Sequence, residues 1–198
     1  MGMDVFSMHV KGGNGQQIAK ALRGAAEEEG AAFYTHAGAG PRGGWLSIYP
    51  SADTVEAIDL VELAQKFKAQ HALLLWVHDS SVLMYFYLRG ANLVDSFNSA
   101  PDYFGEADDF AMAAVGKPEK FADLVGEAGV ARLRTLLAGR MINGEAVGGE
   151  VPDEETDRLK VIGEVFGLPA ILTTFESLEA GERPAGLEVV DRIEMEAE

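Results

Sequence analysis

The run Ala72-Leu73-Leu74-Leu75-Trp76-Val77 is followed, after His78-Asp79-Ser80-Ser81, by Val82-Leu83-Met84-Tyr85-Phe86-Tyr87-Leu88. Neither run alternates apolar with polar residues. A strand with one wet face would alternate, so both read as strands covered on both sides. Both are far too short to cross a bilayer as helices. The four residues between them are turn chemistry. Arg89-Gly90-Ala91-Asn92 turns the chain again, and Leu93-Val94-Asp95-Ser96-Phe97 reads as a third strand of a meander.

Towards the N-terminus, Asp4 to Val10 reads as a strand, with Phe6, Met8 and Val10 on one face and Val5, Ser7 and His9 on the other. Gly12-Gly13 ends it. Asn14 with Gln17 reads as a helix start, Ile18, Leu22 and Ala25 recur at helical spacing, and Gly30 is the expected stop. Ala32 to Thr35 and Trp45 to Tyr49 are short strands joined by a glycine-rich link. Asp53 with Glu56 reads as a capping pair for one helix carrying the apolar stripe Ala57, Leu60, Val61, Ala64 and Phe67. The order to Val77 is therefore β-α-β-β-α-β, the order of a ferredoxin-like sandwich. The fold class expected is α+β: a ferredoxin-like βαββαβ core extended by a β-meander. In such a core both helices lie on one face of the sheet. The two-sided apolar strands then require a second cover.

The rest of the chain offers one, a mostly helical C-terminal region. Short helices are expected from Pro118 through Leu124, over Val130 to Leu137, from a cap at Asp153 through Phe166, and from Pro169 through Leu178. Residues 143–152 read as an acidic, glycine-rich loop. The tail from Leu187 is open between strand and helix. The stretch NSAPDYFGEADDF, Asn98 to Phe110, joins the halves: Pro101 and Gly105 interrupt regular structure, and Tyr103 and Phe104 are expected to pin the joint to the core. The organisation expected is a sheet domain over 1–105 and an acidic helical region over 106–198, packed on or beside it and open to being part of the same domain.

The 198 residues carry a formal net charge of −16 and no cysteine. Disulfides, thiolate metal sites and cysteine nucleophiles are thereby excluded. The charge is uneven: residues 1–100 hold 7 Lys/Arg against 10 Asp/Glu, and residues 101–198 hold 9 against 22. Phosphate backbones and anionic lipid surfaces require the opposite sign, so neither nucleic acid nor membrane is an expected partner. The N-terminus has no basic start followed by an apolar run, and the reading is cytoplasmic. Neither Lys11-Gly12-Gly13-Asn14-Gly15 nor the Gly38–Gly44 link has the spacing of a phosphate loop. No pair among His9, His36, His71 and His78 has metal-motif spacing, and Asp102, Glu106, Asp108 and Asp109 lack the ligand pattern of a calcium loop. No cofactor is expected.

Two functions from different classes follow. The leading one is a soluble acidic binding or interaction protein without catalytic activity, an immunity-type inhibitor of a basic protein or an adaptor. It would present Glu150, Asp153, Glu154, Glu155 and Asp157 to a basic partner. The alternative is a small hydrolase or transferase using His78, Asp79 and nearby carboxylates, with Ser80 or Ser81 as nucleophile. Turn formation accounts for His78-Asp79-Ser80-Ser81 more simply, and no nucleophile-elbow motif is present.

Overall fold

A computed structural model describes residues 2–38, 44–106, 108–168, 170–187 and 189–194. The Ala39–Gly43 part of the glycine-rich link and the proposed helix start at Pro169 lie outside the described residues. The fold is α+β. Seven strands form one sheet, antiparallel at every pairing, in the order β6-β5-β4-β1-β3-β2-β9. They are β1 (Val5–Lys11), β2 (Phe33–Ala37), β3 (Trp45–Pro50), β4 (His71–His78), β5 (Val82–Arg89), β6 (Asn92–Asn98) and β9 (Asp191–Ile193). The two runs that dominate the sequence are β4 and β5. They pair from Ala72 with Leu88 to His78 with Val82, next to the centre of the sheet.

The first helix, α1 (Gly15–Glu29), starts where Asn14 accepts hydrogen bonds from the Gln16 and Gln17 amides and ends at Gly30 in the left-handed region. The single helix expected from Asp53 is two: α2 (Ala52–Ala57) and α3 (Leu60–Phe67). Ser51, not Asp53, caps α2 by accepting from the Thr54 amide. Asp59 accepts from Val61 and Glu62 and starts α3 afresh. A short acidic side chain that bonds the next amides ahead favours a helix start over a helix interior, and Ile58 is extended.

Alternation assigns the two faces. Met8, Val10, Ile48, Ala72, Leu74 and Leu88 pack with Ile18 and Leu22 of α1 and Leu60, Leu63, Ala64 and Phe67 of α3. On the opposite face Leu73, Leu75, Val77, Leu83, Tyr85, Tyr87 and Phe97 pack against residues from the second half of the chain. Those come from a 3-10 turn (Pro118–Phe121), from α5 (Ala122–Leu136), whose two helical stretches meet at a kink at the non-helical Gly126, and from α6 (Glu155–Phe166). Both faces of β4 and β5 are covered, as their unbroken apolar sequence requires.

Between these elements lie α4 (Asp109–Ala113) and a hairpin, β7 (Arg140–Ile142) and β8 (Glu145–Val147). The expected loop over 143–152 is thus partly a hairpin. Asn143 and Gly144 both have positive φ, which is the two-residue turn that twists with its strands. The expected cap at Asp153 is shifted: Glu154 takes the cap position, its carboxylate accepting from the Thr156 hydroxyl and not from a helix amide, and the Ser80 carbonyl accepts the Glu155 amide. The last helix, α7 (Phe175–Glu179), starts at a capping box formed by Thr174 and Ser177. Within the tail, three residues form a strand: β9 pairs with β2, with Arg192 opposite Tyr34.

Candidate functional site

The antiparallel register of β1 and β4 sets Phe6 opposite Trp76, and the residues two places outward, Asp4 and His78, reach the same end of the sheet. The His78 Nδ1 lies 3.0 Å from Asp4 Oδ1. Around this pair stand four aromatic rings. Trp76 is 6.3 Å from Phe6 and stacks on Phe104 at 6.2 Å, while His78 is 5.1 Å from Phe104 and 5.8 Å from Tyr103. Tyr103 and Phe104 do contact the sheet, but Phe104 stays 60% exposed and Tyr103 44%. They form an aromatic ridge on the surface as well as a joint. Carboxylates of Asp102, Glu106, Asp108 and Asp109 flank the ridge in sequence.

Beside the ridge, where β1 begins and β3 and β4 end, is a cavity of about 230 Å3. Phe6, Trp76 and Phe175 supply aromatic walls, and Asp4, Glu56 and Glu176 supply carboxylates. Glu176 Oε1 accepts the Ala52 amide at 3.1 Å, fixing α7 against the start of α2.

Asp79 and Ser80, named above as candidates, serve the turn. Both have positive φ. Asp79 Oδ1 accepts the Gly2 amide and Ser80 Oγ accepts the Met3 amide, each at 2.8 Å. Ser81 donates its hydroxyl to the Asp79 carbonyl. The carboxylate paired with His78 is Asp4, from a distant part of the sequence. The signal for it was the strand register, in which Asp4 and His78 share an end and a face.

The acidic set divides. Glu150, Asp153, Glu154 and Asp157 are exposed, and Asp157 bonds Lys160 at 2.7 Å. Glu155 is buried. Its Oε2 lies 3.2 Å from Nε of Arg158, also buried, whose guanidinium sits 5.5 Å from the Phe97 ring. The contact is poorly aligned, and among the described residues neither Glu155 oxygen nor either terminal nitrogen of Arg158 has a hydrogen-bond partner in good geometry, although the nearby Ser99 side chain also favours the ionised Glu155. Burial pushes the Glu155 carboxyl up and the Arg158 guanidinium down, and each opposes the other's shift through its charge.

The remaining histidines lie elsewhere. His9 is fully buried on the face of the sheet opposite α1, with Nδ1 at 2.9 Å from Ser47 Oγ and Nε2 at 2.9 Å from Ser7 Oγ. Burial holds its pKa down at about 3, so the ring is neutral and each nitrogen has a hydroxyl that can complement it. Beneath the same face, burial raises the Tyr49 phenol to about 12. His71 Nδ1 lies 2.7 Å from the Tyr87 hydroxyl, to which Arg89 Nε donates at 3.0 Å, and Arg89 is bound in turn by Asp123 at 2.6 Å. His36 borders a larger, open cleft of about 1150 Å3 with Leu168, Ile171 and Thr173, and its Nδ1 lies 2.6 Å from the Val189 carbonyl. Among the described residues no three His, Asp or Glu side chains converge as a metal site, and no helix is long and apolar enough to cross a membrane.

No protein-family model, no curated protein and no solved structure matches this chain.

Proposed function

We propose that this chain is an acidic interaction protein without catalytic activity, of immunity type or an adaptor, whose partner is a basic protein. The observation that carries the reading is the exposed Tyr103–Phe104 ridge, with Phe104 stacked on Trp76 and tilted against His78, flanked in sequence by carboxylates. Exposed aromatics on a rigid support are typical anchors of protein interfaces. A net charge of −16 selects the sign of what approaches them. The exposed Glu150, Asp153, Glu154 and Asp157 extend that field. Nucleic acid and anionic membrane are not partners in this reading, and the setting is cytoplasmic.

The same proposal treats the inner strands as a ferredoxin-like core. The order β4-β1-β3-β2, with α1 between β1 and β2 and α2–α3 between β3 and β4, supports it. Residues 106–198 then act as the cover of its second face. The rival reading, a hydrolase or transferase, is favoured by the His78–Asp4 pair alone, since Ser80 and Asp79 are engaged by backbone amides.

The test uses defined peptides rich in Arg and Lys, with Glu-rich peptides as controls, and fluorescence anisotropy at low and physiological salt. Basic peptides should bind, weaken as the screening length falls to about 8 Å, and lose at least tenfold in affinity with Tyr103→Ala/Phe104→Ala. Binding that ignores both salt and the double substitution, or no binding of any basic peptide, overturns the reading.

A further inference from the structure

We infer that the cavity between the start of β1, the ends of β3 and β4, and the start of α7 is a docking pocket for one arginine side chain of the basic partner. This rests on the interaction reading above and adds to it where the partner's charge is held. The cavity, at about 230 Å3, is smaller than pockets that enclose cofactors or drug-sized ligands. It suits a single long side chain. Its lining combines two kinds of group that recognise an organic cation. Phe6, Trp76 and Phe175 supply aromatic rings, and a guanidinium within about 6 Å of a ring centroid, over its face, is attracted by the ring's quadrupole. Asp4, Glu56 and Glu176 offer carboxylates, and the described lining contains no Lys or Arg to neutralise them.

The carboxylates are not all engaged in the same way. Asp4 Oδ1 faces both His78 Nδ1 and the Asp79 amide. Glu176 uses Oε1 on the Ala52 amide, which fixes the carboxylate without neutralising it. Glu56 is exposed at the mouth. A planar guanidinium with five donors can bond more than one carboxylate while its plane stacks on a ring, which a compact ammonium does less well. The fold already holds one arginine by this combination. Arg192 lies 5.9 Å from the rings of both Phe175 and Tyr34, and Glu179 and Glu194 bind it at 3.1 and 2.8 Å. The ridge of Tyr103 and Phe104 borders the pocket through Trp76 and His78, so one basic segment would meet both.

The test titrates N-acetyl-arginine-methylamide into the full chain and follows the indole N–H signal of Trp76 by NMR, assigned with Trp76→Phe. The citrulline analogue, equal in shape but neutral, is the control. Saturable shifts with arginine, at least fivefold weaker in Glu56→Gln/Glu176→Gln and absent with citrulline, support the pocket. An equal response to citrulline, or an unchanged affinity in the double variant, overturns it. An Arg-rich peptide separates the two proposals. If it binds wild type and Glu56→Gln/Glu176→Gln equally but not Tyr103→Ala/Phe104→Ala, the pocket is wrong and the interaction reading stands. If it binds none, the interaction reading falls, and the pocket falls with it as a partner site.

Discussion

The two faces of the sheet are sealed by opposite means. One is covered by α1 and α3, which lie in sequence between the strands they cover, and its interior is almost wholly apolar. The other is covered by α5 and α6, which follow the last meander strand, and it buries Ser7, His9, Ser47, Glu155 and Arg158. The first face closes through crossover connections and needs little specification beyond hydrophobic periodicity. The second closes over a longer loop, and its buried polar groups constrain how the cover can sit. A buried polar group costs free energy unless it is bonded: His9 is bonded within the sheet, by Ser7 and Ser47, whereas Glu155 and Arg158 of the cover compensate each other by charge, with the guanidinium against the Phe97 ring of the sheet.

The comparison breaks most visibly if the cover is removed. A chain ending at Gly105 exposes Leu73, Leu75, Tyr85, Tyr87 and Phe97, and also loses β9 from the edge of β2. At roughly 25 cal/mol per Å2 of apolar surface, several fully exposed aromatic and aliphatic side chains exceed the few kcal/mol by which domains are stable. The expected outcome is aggregation, or strong binding of a hydrophobic dye, in place of a cooperative melt. A soluble, monomeric, cooperatively folding 1–105 would mean that the faces are independent and the halves are separate domains.

Next in size is the Glu155–Arg158 pair. Removing one partner leaves a buried charge alone, which costs about 3–5 kcal/mol, whereas replacing both with apolar residues of similar volume is often neutral or stabilising. Glu155→Ala should therefore lower the denaturation midpoint sharply, and Glu155→Leu/Arg158→Met should restore most of it. If Glu155→Ala costs under 1 kcal/mol in chemical denaturation, the pair does not constrain the cover.

His9 sharpens the contrast through pH. Its folded-state pKa, about 3, lies below the ordinary 6.5. Between those values the unfolded chain binds a proton that the folded chain refuses, so stability is complete above 6.5 and is lost as pH falls towards 3. At 1.36 kcal/mol per unit, the loss from this group reaches about 2 kcal/mol at pH 5. His9→Gln, which can still bond one of the two serines, should reduce the pH dependence of stability between 6.5 and 5 by about one proton. An unchanged slope would show that His9 protonates without unfolding.

Much of this architecture was legible because periodicity reports burial directly. The unbroken runs at Ala72–Val77 and Val82–Leu88 implied two covers, and both covers exist. Other features were hidden for identifiable reasons. The division of α2 from α3 turns on which of several acidic residues bonds the backbone ahead of it, and Asp53, Glu56 and Asp59 all had the chemistry. The β7–β8 hairpin was signalled by Asn143-Gly144, but its strands are only three residues each and flank a stretch dominated by glycine and acid. At the candidate site, His78 was visible and its partner was not. Asp4 stands 74 positions away, and only pairing β1 with β4 in one register brings them together. Glu155 was grouped with its acidic neighbours because charge runs read as solvated, yet helical spacing turns it inward with Leu159 and Ile162.

The smallest expected effect concerns the acidic surface itself. Glu150, Asp153, Glu154 and Asp157 are exposed, and only Asp157 among them has a short ion pair, with the exposed Lys160. Exposed pairs of this kind contribute about 0–1 kcal/mol. Converting all four to Asn or Gln should therefore change stability by less than about 1 kcal/mol, and relief of like-charge repulsion offsets part of any loss. The same change removes four negative charges from the half of the chain that carries most of the excess. Association of a basic peptide should slow and lose part of its salt dependence, while dissociation, governed by the aromatic ridge and the pocket, should stay nearly constant. Stopped-flow binding at several ionic strengths separates the two rates. A fall in affinity expressed entirely in the dissociation rate would place these residues within the interface. An unaltered association rate would mean that this segment serves solubility alone, leaving attraction to the carboxylates beside Tyr103 and Phe104.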